Sequence, residues 1–180
     1  MSTAFFQPHP KPYSRLSISL HWLMLALLIA VYAAILLRQE FPRGSDIREA
    51  LKAWHFSLGL VVFALVWVRV IARRIGGTGH RPTGAAAWAA VLMHLALYGF
   101  MIAMPLLGWL TLSAEGDPVR LFSLGLPPLI GPDKALAEQI GEFHETLGTV
   151  GYWLVGLHAA AALFHHYVLR DGTIRRMTAW

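Results

Sequence analysis

FHETLGTVGYWLVGLHAAAALFHHY, residues Phe143–Tyr167, carries one formal charge, Glu145, and the stretch free of Asp, Glu, Lys and Arg runs on from Thr146 to Leu169. A run of that length is enough to cross a hydrocarbon core of about 30 Å at about 1.5 Å per residue. It places His144 and His158 fourteen residues apart. That separation is close to four helical turns, so both imidazoles share one face and stand roughly 21 Å apart along the axis. Histidine is costly inside a membrane helix, and its presence there points to function rather than packing.

Three further stretches lack charge: Leu16–Leu37, Ala53–Val68 and Pro82–Ala114. Of the 180 residues, 56% are hydrophobic and 14% charged, too few polar side chains to cover the outer faces of four helices in water. The expected fold is therefore all-α, an integral membrane four-helix bundle forming a single membrane domain over residues 1–180. Helices are expected at about Leu16–Leu37, Leu51–Arg73, Ala85–Leu112 and Ile140–Leu169, with Pro105 a kink in the third. A polar lead-in, Met1–Ser14, precedes them, and Gly76, Gly77, Gly79 and Pro82 break the chain before helix 3. The longest connection, Ser113–Gln139, mixes Gly and Pro with isolated apolar residues, so it is expected on the membrane surface. The first span is too long for the apolar core of a cleaved signal peptide and reads as a retained anchor.

Charge placement orients the bundle. With an even number of spans, one side holds Lys11, Arg15, Arg69, Arg73, Arg74, Arg81, Arg170, Arg175 and Arg176 against the single acid Asp171. The other side holds the remaining nine acids and six bases. The positive-inside rule then puts both termini in the cytoplasm. The basic rim faces anionic lipid, and nucleic acid is not an expected partner. The absence of cysteine excludes disulfides, iron–sulfur clusters and thioether-linked haem.

Nine histidines are present, of which His9 and His80 fall in hydrophilic segments and read as solvated. Depth pairs the others. His21 lies about two turns in from Arg15 and His55 one turn in from Lys52, on spans that run in opposite directions. His55 is thus expected to face His144 near the outer side, and His21 to face His158 nearer the cytoplasm. Two histidine pairs at two levels of one bundle are what bis-imidazole ligation of two non-covalent haems requires. Gly59, Gly148 and Gly151 lie near the ligand faces, where they suit close approach of a flat macrocycle or simply of another helix. Arg69, fourteen residues after His55, is placed for a propionate of the inner haem or for lipid phosphate. His165, seven residues after His158, is placed for a propionate or a quinone carbonyl. His166 is rotated away towards water or headgroups, and His94 stands near the inner haem as a supporting or quinone-site residue.

The stretches YSRLSISLHW (Tyr13–Trp22) and Phe143–Tyr167 closely resemble the bacterial cytochrome b561 family, nearest its small diheme members of the superoxide oxidase type. Phe41–Pro42–Arg43, Trp54–His55 and the run His94–Pro105 are similar as well, so the likeness covers essentially the whole chain, though Gly76–Gly84 and Ser113–Gln139 match less well. The resemblance implies two b haems ligated by His21, His158, His55 and His144, a bacterial inner-membrane location, and ubiquinone as a partner near the cytoplasmic leaflet, where His165 matches. It also implies superoxide as the outer donor.

On this reading the protein is an oxidoreductase, a superoxide:ubiquinone oxidoreductase that takes electrons singly on the outer side and delivers two to ubiquinone. Two ligands per iron leave no open position, so a donor reacts by outer-sphere transfer. The outer side is net negative, and Arg48 with Lys52 is expected to form a positive mouth above His55. The alternative is an electron-transfer subunit of a larger dehydrogenase or hydrogenase complex, with a protein redox partner. A haem-free transporter or proton conduit using the same histidines is disfavoured, because the spans lack carboxylates away from their ends.

Overall fold

The computed structural model describes residues 14–75 and 84–178. The lead-in before Ser14, the histidines His9 and His80, the bases Lys11 and Arg81, and the glycine-rich break before helix 3 lie outside the described residues. Four long helices make up most of the rest: α1 Arg15–Arg38, α2 Asp46–Ile75, α3 Ala85–Glu115 and α4 Lys134–Tyr167. Each has a stretch long and apolar enough to cross a membrane. A two-stranded antiparallel hairpin, β1 Arg120–Leu121 with β2 Leu124–Gly125, lies between α3 and α4, and a short α5, Arg175–Thr178, follows α4. The protein is an all-α membrane helical bundle.

The helices outrun the apolar stretches. α2 begins at Asp46 rather than near Leu51, α3 continues to Glu115, and α4 begins at Lys134 rather than near Ile140. Hydropathy marks where lipid ends, whereas a helix ends where its backbone groups find other partners. Asp133 caps α4 by accepting a hydrogen bond from the Leu136 amide at 3.1 Å. Asp46 and Glu49 sit in the first turn of α2, where negative charge suits the helix dipole. α3 runs through Pro105 and stops at Gly116, whose φ of 79° lets the Gly116 and Asp117 amides turn back onto the carbonyls of Ser113 and Leu112. At its other end α4 stops at Tyr167, two residues short of Leu169, and Arg170 turns the chain with φ 53°.

Packing divides the bundle into two close hairpins. α1 lies along α2 and α3 along α4, with α2 also packed on α3; no comparable backbone approach joins α1 or α2 to α4. Met24, Val62, Val66 and Met101 form the buried core of the α1–α2–α3 side, with Leu27, Leu65 and Leu97 around it. Many large apolar side chains point outward, Trp153 with 79% of its surface exposed among them. In lipid these faces need no cover, and packing rather than water exclusion holds the helices together.

The connection between α3 and α4 is shorter than the expected Ser113–Gln139 and is folded onto the bundle. Two buried serines fasten it. Ser57 Oγ accepts from the Phe122 amide at 2.9 Å, and Ser113 Oγ accepts from the Leu129 amide at 3.0 Å while donating to the Trp109 carbonyl. The Trp109 indole N–H donates to the Pro127 carbonyl at 3.1 Å, and Trp54 packs edge-on against Phe122.

Candidate functional site

The space between the two helix hairpins is bridged by histidines. His55 of α2 and His144 of α4 have ring centroids 6.2 Å apart at the loop end. His21 of α1 and His158 of α4 have centroids 6.3 Å apart at the end where α1 begins and α4 stops. An iron about 2 Å from one nitrogen of each of two opposed imidazoles sets ring centres about 6 Å apart, so both pairs have the spacing of a single shared metal. Two imidazoles alone are a poor cage for a bare ion, which prefers four or more ligands; they complete a site whose other donors come from a macrocycle. Among the described residues no group of three or more His, Cys, Asp or Glu forms a metal cage.

Local hydrogen bonds orient these rings. His55 Nδ1 lies 3.0 Å from the Val31 carbonyl of α1 and donates to it, which directs the Nε2 lone pair elsewhere. His144 Nδ1 is buried without a well-formed hydrogen bond among the described residues, although the Met104 carbonyl lies alongside. His144 has room because Gly108 of α3 stands opposite; a Cβ there would sit 3.4 Å from the ring. His21 Nδ1 accepts from Arg69 Nη2 at 3.0 Å, and Arg69 Nε donates to the Tyr98 hydroxyl at 3.3 Å. Arg69 therefore reaches the inner histidine pair itself, in addition to being placed for a propionate or headgroup.

Two expected features are refined. His94 Nδ1 bonds the Ala90 carbonyl of its own helix at 2.6 Å, and its ring centroid is 5.7 Å from that of His158, so three histidines meet at this end. Gly151, expected to give a macrocycle access, instead receives the Tyr32 hydroxyl and the Phe100 ring, which occupy the place of a Cβ. Tyr32 also donates to the Gly148 carbonyl at 2.7 Å. An aromatic layer thus separates the two histidine levels. Gly59 keeps the open position expected of it, with nothing within 4 Å of a built Cβ. Paired nitrogen donors, open space at Gly59, and a cation at the inner pair fit a b-type haem.

Where Arg48 and Lys52 are expected to form a positive mouth, both cations have partners within the protein. Lys52 Nζ is paired with Asp117 at 3.2 Å and Glu115 at 3.7 Å, so its charge is offset locally. Arg48 Nη1 donates to the Arg38 and Phe41 carbonyls at 3.0 and 2.9 Å, where it serves the unpaired end of α1. The cation that sequence reasoning missed is Arg120. It lines an open cleft over α2 with Glu49, Lys52, Trp54, Asp117 and Phe122, and makes no salt bridge among the described residues. The signal was present as one of two bases in the long connection, Ser113–Gln139, but only the hairpin carries it back over α2.

At the opposite end, His165 Nδ1 donates to Asp171 Oδ2 at 2.8 Å. His166 lies edge-on to Tyr167 with its Nδ1 buried, rather than turned freely to water.

Fold and site together define a membrane electron-transfer protein of the b-type cytochrome class. The family model for prokaryotic cytochrome b561 matches residues 12–180, and the chain belongs to that family. It is 34% identical over 168 residues to cytochrome b561 homolog 1 of Escherichia coli K12, covering 92% of this chain and 96% of that one. It is likewise 34% identical over 170 residues to a probable superoxide oxidase of Yersinia pestis, covering 93% and 96%. At 28% identity it is also similar to cytochrome b562 of Cereibacter sphaeroides, over 92% of this chain and 94% of that one. The protein is a multi-pass protein of the bacterial inner membrane, and its family binds haem of the b type.

Proposed function

We propose that this chain binds two b haems, one between His55 and His144 and one between His21 and His158, and carries electrons from superoxide outside to ubiquinone near the cytoplasm. The observation that carries this reading is the pair of imidazole–imidazole spacings, 6.2 and 6.3 Å, at positions fourteen residues apart on one helix. The haems, when bound, supply one-electron storage and transfer. The chain's own part is to hold, orient and insulate. With two histidines holding each group, no coordination position would be left open on its metal, so donor and acceptor would exchange electrons without binding it. The His55–Val31 hydrogen bond fixes a ring orientation, and Arg69 places positive charge beside His21, where it would suit an anionic group on the inner haem. Apolar helix surfaces keep water and protons away from the path.

The excess of basic residues on the terminus side supports placing that end in the cytoplasm. Similarity to the probable superoxide oxidase of Yersinia pestis supports superoxide as donor. Arg120, which lines the cleft over α2 and makes no salt bridge among the described residues, is the residue suited to attract it. Two superoxide anions each lose one electron to give two oxygen molecules, and the electrons with two protons convert ubiquinone to ubiquinol. The test is stopped-flow or pulse-radiolytic reduction of the purified haem-loaded protein by superoxide. Reduction should be fast and abolished by dismutase. Haems that reduce no faster with superoxide than with dismutase present would leave an electron-transfer subunit with a protein donor as the better reading.

A further inference from the structure

Among the described residues at the end where α1 begins and α4 stops, Asp171 is the only acid, beside seven arginines. A lone surface carboxylate in such company ordinarily meets a guanidinium. Here it is bound to a histidine. α4 stops at Tyr167, and the chain reverses through Arg170 (φ 53°) and Gly172 (φ 72°), so that the Asp171 amide donates to the His165 carbonyl at 3.2 Å. Asp171 Oδ2 then accepts from His165 Nδ1 at 2.8 Å. Its other oxygen accepts from the Thr173 amide at 2.9 Å and from the Thr173 hydroxyl. Arg176 Nη2 donates to that hydroxyl at 3.4 Å, holding Thr173 in turn. Beyond it, the Trp22 indole donates to the Met177 carbonyl at 2.8 Å, so the segment reaches from α4 across to α1 beside His21. Partial burial raises the Asp171 pKa, but the hydrogen bonds from Thr173 and His165 outweigh it and hold the group below 3.8.

We propose that Asp171 is the positioning residue of a proton-delivery dyad, in which His165 protonates the quinone reduced at this end of the bundle. This rests on the ubiquinone reading above and deepens it. A fixed carboxylate against Nδ1 keeps that nitrogen protonated, so Nε2 is the nitrogen that exchanges a proton with a bound acceptor. His165 lies seven residues beyond His158, about 10 Å along α4, and both dyad side chains are more than a third exposed, so water reaches them. Reduction of one quinone takes two electrons, derived from two superoxide anions outside, and two protons from the cytoplasm. In each transfer the Nε2–H bond of His165 breaks, an O–H bond forms on a quinone oxygen, and cytoplasmic water returns a proton to the ring. Asp171 remains ionised throughout. The other charged or titratable groups of the segment, Arg170, Arg175, Arg176 and His166, carry no carboxylate that could replace it.

The experiment compares two acceptors with the full haem-loaded chain in nanodiscs. The pre-reduced protein is mixed either with ubiquinone-1, which takes protons with its electrons, or with ferricyanide, which takes electrons only. Asp171→Asn should slow reoxidation by ubiquinone-1 about tenfold or more and leave ferricyanide within about twofold. A solvent deuterium isotope effect should appear or grow with ubiquinone-1 alone. Binding of ubiquinone-1, followed by quenching of tryptophan fluorescence in the unreduced protein, should change little. Asp171→Glu should recover part of the lost rate. Equal slowing with both acceptors, or no slowing with ubiquinone-1, overturns the proposal while leaving the acceptor reading intact. A wild-type chain that reduces ferricyanide but not ubiquinone-1 overturns the acceptor reading and this proposal with it.

Discussion

His158 has two imidazole neighbours, His21 and His94, with ring centroids 6.3 and 5.7 Å away, and substitution distinguishes their roles. If His21 is the ligand, His21→Ala should remove or convert the same spectral component as His158→Ala, whereas His94→Ala should keep both haems and shift only the inner one. His55→Ala and His144→Ala should together affect the other component. Reduced-minus-oxidised spectra of the five variants measure this, and a shared loss in His21→Ala and His55→Ala would refute the pairing. Gly151 provides a second test at this scale. Because Tyr32 and Phe100 fill the place of its Cβ, Gly151→Val should cost about 1–3 kcal/mol and lower thermal stability while leaving all four histidines in place. The histidine positions were legible in the sequence because helical period and distance from charged residues give face and depth. The close aromatic contact on Gly151 was not, since a glycine in a helix reads the same whether its partner is a ring, a helix or a macrocycle.

The elements outside the spans owe their places to a few polar contacts. Ser57 is buried in α2, and its hydroxyl is the acceptor for the Phe122 amide. Ser57→Ala leaves that amide without its partner, at a cost of about 1–3 kcal/mol. It should raise hydrogen exchange across the β1–β2 hairpin without loss of haem; an unchanged exchange rate there would show that the serine does not fasten the hairpin. At the other end, the loop around Asp171 has a defined pH response. A carboxyl whose folded pKa is depressed contributes its stability fully above the unfolded value of about 4 and loses it as pH falls through the folded value. Ordering of the loop should therefore be flat from about pH 8 to pH 5 and weaken only in stronger acid, read by the mobility of a spin label at Thr178→Cys; loosening already near pH 6 would contradict it. Hydropathy could not forecast these contacts or the true helix ends, because lone serines and caps carry no periodic signal.

Across the whole molecule, the charge asymmetry is the property to test first. Labelling should reach Asp117→Cys only from outside and Arg175→Cys only from the cytoplasm; the reverse pattern would turn the proposed reaction inside out. On the proposed function, with Lys52 paired to two acids, Arg120 is the cation suited to attract an anionic donor. Arg120→Glu should slow superoxide-driven reduction several-fold and lessen its decline with salt, with haem content unchanged. Stopped-flow reduction at two ionic strengths measures both effects, and equal rates in variant and wild type would remove Arg120 from the donor's path. The number of spans, the two histidine levels and the face they share on α4 were determined by the sequence alone. Apolar run length and the 3.6-residue period are local properties that survive in any arrangement of the helices. Tertiary structure alone decided that His94 joins His158, that Lys52 and Arg48 are occupied while Arg120 is free of an acidic partner among the described residues, and that Asp171 closes onto His165. Each of these depends on how a side chain is used by residues distant in sequence or across a turn, and neither hydropathy nor spacing encodes that.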